Sequence, residues 1–268
     1  MPSKIEWTDE TWNPVLGCTK VSPGCLGDHC YAERITERFG RGPFSEVTLH
    51  PERLEQPKHW LRPRLVFTCS MSDLFHSRVP WDFLLDVFQV MACTPQHTYQ
   101  VLTKRPGRMA HFASHVLPMA GRLWPSNVWA GTSVESQRYA HRLDVLARVP
   151  APVRFVSAEP LLGPLDLRPH LYVCGGCGER PCACTGMAIQ WCIVGGESGP
   201  GARPMNPDWV RDIRGQCDAT GLAFFFKQWG GTTSKAGGRT LDGCTHDEMP
   251  SGPGEGFWRC RYEDTLRR

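Results

Sequence analysis

Short apolar runs alternate with amphipathic segments along most of this chain, and the alternation restricts the possible folds more than any other feature. The starts of the runs recur at roughly thirty residues, which is the length of a strand–helix–strand unit. The predicted strands are Leu65–Thr68, Tyr99–Thr103, Asn127–Ala130, Val153–Ser157, Gln190–Val194 and Ala223–Phe226. Parallel strands that are joined by right-handed crossovers form either an open sheet or a barrel.

The stretches between these strands have the periodicity of helices. Within Trp81–Ala92, apolar side chains recur at steps of three and four residues, as one face of a helix requires. Further helices are predicted at Met109–Val116, Glu135–Arg148 and Asp208–Ala219. An additional strand around Trp12–Leu16 would precede the first of these units.

Polar residues follow nearly every predicted strand. Any one of them alone is better explained as a helix cap or loop residue, but their recurrence favours the C-terminal rim of a barrel, where active sites are built. They are Ser70, Ser72, Asp73, Lys104, Arg105, Thr132, Ser133, Glu135, Glu159, Glu197, Ser198, Lys227 and Gln228. We therefore predict an α/β fold, a partial or distorted (β/α) barrel of about six to seven parallel strands, in a single domain over residues 1–268.

The composition indicates what kind of protein this is. Thirteen cysteines occur without a recognisable secretion signal, which favours metal or redox chemistry over a disulfide framework. Charged residues make up 21%, and no apolar run approaches the length of a membrane span. We therefore expect a cytoplasmic protein with no membrane partner. The net charge of +3 neither requires nor excludes a nucleic-acid partner.

Three cysteines near the N-terminus form the most informative motif. Cys18, Cys25 and Cys30 lie in a loop, residues 17–31, with the spacing Cys-x6-Cys-x4-Cys and with glycine and proline between them. Thiolates this close together along the chain can bind a single metal ion or metal cluster. A cubane cluster held by four cysteines is coordinatively full, whereas three leave one iron open for an exogenous ligand. The motif therefore predicts a reactive 4Fe-4S site.

A second cysteine cluster lies between the fifth and sixth predicted strands, in a glycine-rich stretch that we interpret as an insertion over residues 172–188. It contains Cys174, Cys177, Cys182 and Cys184. Four sulfurs complete a tetrahedral structural zinc site, and a second iron–sulfur cluster is the alternative. Only one residue separates the last two cysteines, so Cys192 is an alternative fourth ligand.

The run Trp12–Ala32 resembles a phage-associated family of three-cysteine-motif proteins of uncharacterised function. Matching stretches occur in the same order along the chain, at residues 70–76, 102–106, 131–135, 195–199, 227–230 and 238–243. That family is in turn similar to radical S-adenosylmethionine enzymes, which share the partial barrel and the three-cysteine loop. Their usual spacing is the shorter Cys-x3-Cys-x2-Cys, and glycine and proline would let the longer loop fold tightly.

The resemblance implies that an open iron binds S-adenosylmethionine and that one electron from the cluster releases a 5′-deoxyadenosyl radical. On this interpretation Ser70, Ser72 and Asp73 hold the methionyl ammonium, and Thr132, Ser133 and Glu135 hold the ribose. The expected substrate-binding residues are Lys104, Arg105, Glu159, Glu197 and Lys227. Each of these roles has a plain alternative, either a turn residue or solvated charge.

The leading hypothesis from the sequence is thus a radical enzyme that acts on a nucleobase or nucleic acid and that needs an electron donor. The competing hypothesis is a non-catalytic phage protein that is stabilised by zinc and binds nucleic acid or another protein. Metal content discriminates between them, because iron with sulfide supports the first and zinc alone supports the second. The C-terminal extension, residues 230–268, carries no assignment.

Overall fold

The computed structural model describes residues 3, 5–26, 30–40, 42–174, 185–233 and 235–250. Seven parallel strands of this described part form one sheet that curls into a half-barrel. In spatial order they are β1 (Glu10–Trp12), β4 (Leu65–Thr68), β5 (Thr98–Thr103), β6 (Val128–Ser133), β7 (Arg154–Ala158), β10 (Trp191–Gly195) and β11 (Ala223–Gln228). Spatial order follows chain order, as in a singly wound barrel. The predicted α/β partial barrel is therefore confirmed.

The remaining strands form two antiparallel ribbons outside this sheet. One pairs β2 (Val15–Leu16) with β3 (Thr48–Leu49), and the other pairs β8 (Tyr172–Cys174) with β9 (Thr185–Met187). The predicted strand Trp12–Leu16 is therefore wrong in extent, because only its first residue belongs to the sheet. Pro14 separates the two parts, since proline has no N–H to donate to a strand ladder.

Most helices pack on the convex face of the sheet. They are α2 (Trp81–Cys93), α3 (Pro106–His111), α4 (Leu117–Met119), α5 (His141–Leu146) and α6 (Pro207–Thr220), with a π-helical turn at Phe112–Val116. Helix α1 (Tyr31–Arg38) directly follows the cysteine loop and contacts the loop after β10. No helix in the described ranges has both the length and the apolar character to cross a membrane.

The predicted helix Glu135–Arg148 is too long. Its first residues are extended, with φ of −166° at Ser136, and regular α-helix is confined to α5. The side chain of Glu135 is fully buried and takes part in a charged network, which explains why the chain leaves helical geometry there. The helices predicted from Trp81 and from Asp208 agree with α2 and α6 to within one residue at each end.

Two hydrophobic cores lie on opposite faces of the sheet. The larger packs the sheet against the helices, and the smaller fills the inside of the half-barrel with Trp7, Phe67, Trp129, Val153, Phe155, Trp191, Ile193 and Phe225. Along β6, β7 and β10 the inward side chains become small toward the C-terminal end, where Gly131, Ser133, Ser157 and Gly195 lie. A cavity therefore opens above an aromatic floor.

The last described segment covers the free edge of β11. The amide of Phe226 donates to the carbonyl of His246 at 2.9 Å, and the amide of Glu248 donates to Phe224 at 3.2 Å. The indole of Trp191 donates to the carbonyl of Glu248 at 2.9 Å. This pairing protects an edge strand that would otherwise be open to other chains. Residues 251–268 of the predicted extension lie outside the described part.

Candidate functional site

A cavity of about 640 Å³ opens at the C-terminal ends of the strands. Its volume lies within the range of small-molecule sites, and its position is that of active sites in parallel barrels. Most of the residues that the sequence predicted for the site line it: Cys18, Cys25, Cys30, Ser70, Ser72, Asp73, Lys104, Arg105, Ser133, Glu159, Glu197 and Lys227. Thr132 and Glu135 are not among the lining residues.

The three cysteines of the N-terminal loop are free thiols at one side of this cavity. The loop is held at its start, where the amide of Cys18 donates to the carbonyl of Phe44 at 2.8 Å. Gly17 has φ of +81°, and a Cβ atom there would lie 1.9 Å from the carbonyl oxygen of Glu46. Glycine is therefore required at the position that turns the chain into the cysteine loop.

The thiols of Cys18, Cys25 and Cys30 are suitable ligands for a metal ion or an iron–sulfur cluster, but they do not form a preformed binding site. Among the described residues, no three histidine, cysteine, aspartate or glutamate side chains are gathered closely enough to hold a metal ion. Burial raises the pKa of Cys18 to about 11 and also raises the pKa of Cys30. Metal binding requires thiolates, and a bound cation removes the proton from its thiol ligands. Assembly on Cys18, Cys25 and Cys30 would therefore draw the loop together.

Arg105 donates hydrogen bonds to the cysteine loop. Its Nη1 atom donates to the sulfur of Cys18 at 3.5 Å and to Oδ2 of Asp73 at 2.8 Å. Its Nη2 atom donates to the backbone and side-chain oxygens of Thr19, both at 3.0 Å. Arg105 therefore links the cysteine loop to the ends of β4 and β5.

Asp73 has no free acceptor for a ligand ammonium, which departs from the sequence prediction. Its Oδ1 accepts from Thr103 Oγ1 at 2.7 Å and from the amide of Phe75 at 2.9 Å, and its Oδ2 accepts from Arg105 and from the amide of Lys104. Four donors saturate a carboxylate. Asp73 thus positions Arg105.

Three of the hydroxyls predicted to contact S-adenosylmethionine donate hydrogen bonds to oxygen atoms of the protein. Ser70 Oγ donates to Oδ1 of Asn13 at 3.2 Å, and Ser72 Oγ donates to the carbonyl of Val15 at 2.7 Å. Thr132 Oγ1 donates to the carbonyl of Thr103 at 2.8 Å, on the neighbouring strand. Ser133 keeps a hydroxyl in the cavity wall.

Glu135 lies behind the cavity wall and connects three elements. It is fully buried and accepts from Lys104 Nζ at 2.6 Å, from Arg142 Nη1 at 3.0 Å and from Ser22 Oγ. Burial opposes ionisation, but Lys104, Ser22 and Arg142 together outweigh it and lower the pKa of Glu135. A Cβ atom at Gly24 would lie 2.9 Å from the carboxylate. Glu135 therefore holds the cysteine loop against α5 and the end of β5, a role different from the predicted ribose contact.

Arg203 is a site residue that the sequence did not reveal. Its guanidinium donates to Glu197 through Nε at 2.9 Å and through Nη2 at 2.5 Å. Nη2 also donates to the carbonyl of Pro23 at 3.1 Å. Arg203 thus joins the loop after β10 to the cysteine loop, and no periodicity or motif in the sequence marked it.

Helix α1 crosses the mouth of the cavity. The hydroxyl of Tyr31 donates to the carbonyl of Ser70, and Arg34 Nη2 donates to the carbonyl of Ser198 at 2.6 Å. A Cβ atom at Gly199 would lie 1.8 Å from the guanidinium of Arg34. The glycine after Ser198 therefore provides the space in which Arg34 lies.

The loops after β10 and β11 approach each other through their backbones. The amide of Gly196 donates to the carbonyl of Gln228, and the amide of Gly231 donates to the carbonyl of Glu197, both at 2.9 Å. A Cβ atom at Gly196 would lie 1.9 Å from the carbonyl oxygen of Trp229. The Gly-Gly-Glu stretch is thus a point of close backbone approach.

We expect Gly196→Ala to lower the free energy of unfolding by about 3 kcal/mol, because backbone atoms must shift to admit the methyl group. Gly215→Ala is the matched control, since a Cβ atom meets nothing within 4 Å at that exposed position in α6. It should stabilise by about 0.5–1 kcal/mol. Denaturant unfolding measures both changes, and equal effects of the two substitutions would contradict this account of the loops.

The remaining cysteines lie in different parts of the chain. Cys177, Cys182 and Cys184 lie outside the described residues, and the backbone of Cys174 ends β8. Cys192 is fully buried in β10, where its thiol contacts that of Cys217 in α6. Cys69 lines the cavity with φ of +62°, and burial raises its pKa to about 12.

Comparison with known proteins identifies the family. Residues 2–250 match a family that is described as a protein of unknown function, DUF5131. The chain belongs to this family. The DUF5131 match spans the half-barrel, the cysteine loop and the segment that covers β11. No curated protein and no solved structure shows a significant match.

Proposed function

We propose that this DUF5131 protein is a radical S-adenosylmethionine enzyme in which Cys18, Cys25 and Cys30 hold a 4Fe-4S cluster. One observation carries the proposal: three free thiols of a single loop line the same cavity at the C-terminal end of a parallel half-barrel. Barrel enzymes place their active sites at this end. The relation to phage-associated proteins and to radical enzymes is part of the proposal.

A 4Fe-4S cluster held by Cys18, Cys25 and Cys30 would leave one iron open for S-adenosylmethionine. When reduced, it would supply the one electron needed to cleave the sulfonium bond into methionine and a 5′-deoxyadenosyl radical. The protein contributes binding, orientation and exclusion of water. Arg105, which Asp73 holds beside Cys18, is a hydrogen-bond donor of the kind that tunes the potential of a cluster.

Lys104, Lys227 and Glu159 are the cavity side chains that we propose for ligand binding. The ammonium of Lys104 lines the cavity while Glu135 neutralises it from behind, so a ligand carboxylate or phosphate can reach its remaining N–H groups. Lys227 and Glu159 line the wall formed by β11 and β7. We propose a nucleobase or nucleic acid as substrate, a separate electron donor, and a cytoplasmic location where thiols stay reduced.

Anaerobic reconstitution with iron and sulfide, followed by electron paramagnetic resonance of the reduced protein, tests the proposal. We expect a cubane signal that changes when S-adenosylmethionine is added, because the ligand binds the open iron. Zinc in place of iron, with no cluster signal, would overturn the radical mechanism and favour the zinc-stabilised binding protein.

The cysteine-rich loop is proposed to hold a structural zinc ion through Cys174, Cys177, Cys182 and Cys184. We expect about one zinc ion per chain in the purified protein, and Cys177→Ala should lose it together with thermal stability. Metal analysis and thermal unfolding measure the two effects. Unchanged zinc content in Cys177→Ala would exclude this residue as a ligand, and a second iron–sulfur cluster would appear as additional iron.

A further inference from the structure

The acidic groups around the cavity differ in how completely their hydrogen-bonding capacity is used. Asp73 accepts from four donors and Glu135 from three, and Glu197 accepts three hydrogen bonds from Arg203. These carboxylates therefore have a structural role. Glu159 uses less of its capacity.

Glu159 and Lys227 contact each other and leave most of their capacity unused. Lys227 Nζ donates to Glu159 Oε1 at 2.5 Å, with side chains only 17% and 21% exposed. Within the described ranges, Oε2 of Glu159 and the other two N–H groups of Lys227 have no partner. A desolvated ion pair is favourable only when further hydrogen bonds satisfy its remaining atoms. The pair thus presents an acceptor next to donors at the cavity wall.

Glu159 and Lys227 share the cavity lining with aromatic side chains, and the side chain of Glu159 lies over a glycine. Gly195 on the intervening strand has no side chain, and a Cβ atom there would lie 3.3 Å from the carboxyl carbon of Glu159. Trp7 and Phe67, with ring centroids 4.7 Å apart, form part of the apolar lining. In the described structure the hydroxyl of Ser157 lines the cavity without a hydrogen-bond partner.

We propose that Glu159 and Lys227 bind the hydrogen-bonding edge of a nucleobase inside the cavity. Glu159 accepts from an exocyclic amino group or a ring N–H, and Lys227 donates to the adjacent ring nitrogen or carbonyl oxygen. Nucleobases carry adjacent donors and acceptors on one edge, and their faces stack on aromatic side chains. The inference deepens the proposed function and rests on it only in taking a nucleoside as the ligand.

A neutral base fits this pair better than a zwitterionic amino acid does. A base forms hydrogen bonds to the unused atoms and leaves the contact between Glu159 and Lys227 intact. An amino acid would bring two further charges next to this pair and would compete with the existing ion pair. The base can belong to the adenosyl group of the cofactor or to the substrate, and binding measurements separate the two.

Titration calorimetry of the purified protein tests the proposal without a need for the cluster. The probes are adenosine, guanosine, cytidine, uridine, S-adenosylmethionine and L-methionine. We expect at least one nucleoside to bind and Lys227→Met to weaken it by about tenfold or more, as loss of a charged hydrogen bond implies. Glu159→Gln, which keeps the shape of the side chain, should weaken the same probe.

Lys58→Met is the matched control, because it removes a lysine from an exposed ion pair with Glu55 at 2.7 Å. It should leave nucleoside affinity unchanged. Binding of adenosine and S-adenosylmethionine in competition assigns the base to the cofactor. Binding of another nucleoside in the presence of S-adenosylmethionine assigns it to the substrate. Either result supports the proposal.

Three results would overturn it: no nucleoside binds at millimolar concentration, L-methionine is the probe whose binding both variants lose, or both variants bind nucleosides as the parent does. These failures are distinct from failure of the proposed function, which shows as absence of an iron–sulfur signal. A protein that binds a nucleoside through Lys227 but never holds iron would retain this inference and lose the radical mechanism.

Discussion

Cys25→Ala is expected to abolish assembly of the iron–sulfur cluster while the fold stays intact. Cys25 is only partly buried, and the hydroxyl oxygen of Ser22 lies 3.9 Å from its sulfur. Loss of one thiol leaves two cysteines in the loop, too few for a stable cubane site. The core does not include Cys25, so no cavity forms inside the protein.

Iron and sulfide analysis after anaerobic reconstitution measures this effect, and circular dichroism with thermal unfolding checks the fold. Cys244→Ala is the matched control, because that thiol is also free and is exposed away from the cavity lining. We expect it to assemble the parent amount of cluster. Full iron content in Cys25→Ala would remove this residue from the ligand set.

Glu135→Gln is expected to lower the free energy of unfolding by about 3 kcal/mol, because it leaves buried cations without their counter-charge. The side chain of Arg142 is 7% exposed, and that of Lys104 also turns toward the carboxylate. Glutamine keeps the size of the side chain, so the effect reports on charge and hydrogen bonding. The substitution also weakens the hydrogen bond that Ser22 Oγ donates to residue 135, and hence the attachment of the cysteine loop.

The same carboxylate gives the stability a defined pH dependence. Lys104, Ser22 and Arg142 outweigh burial and hold the pKa of Glu135 in the folded protein below its ordinary value. A depressed pKa contributes stability that is present above the unfolded pKa of about 4.3 and is lost as the pH falls through the folded pKa. We therefore expect the difference between the parent protein and Glu135→Gln to shrink in acid.

Denaturant unfolding at neutral pH and again below pH 4 measures both the size of the effect and its pH dependence. Glu55→Gln is the control, because its partner Lys58 is exposed and such pairs contribute about 0–1 kcal/mol. A destabilisation of Glu135→Gln no greater than that of Glu55→Gln would contradict the proposed role of Glu135 as a buried connection.

The structure divides the predicted site residues by what their polar atoms already bind. Asp73, Ser70 and Ser72 lie in the cavity lining as expected, yet their side chains hold Arg105, Asn13 and Val15. These polar side chains thus bind other parts of the protein. Among the predicted site residues, Lys104, Ser133, Glu159 and Lys227 keep polar groups at the cavity wall.

The architecture could be predicted because it depends on local periodicity. Strand Leu65–Thr68 coincides with β4, and Asp208–Ala219 falls inside α6, since buried parallel strands and amphipathic helices leave clear patterns. The strand predicted at Trp12–Leu16 is wrong in extent, because Pro14 divides this run and its two parts join different sheets. The periodicity of a segment does not indicate which other strand it pairs with.

The order of residues along the chain is enough to predict the alternation of strands and helices, the three-cysteine loop and the convergence of polar residues at one rim. Contacts between distant parts of the chain place Glu135 behind the cavity wall, bring Arg203 to Pro23 and saturate Asp73. These properties depend on side chains that are distant in sequence. Their hydrogen-bond partners, rather than their residue types, determine whether a carboxylate or guanidinium remains free to bind a ligand.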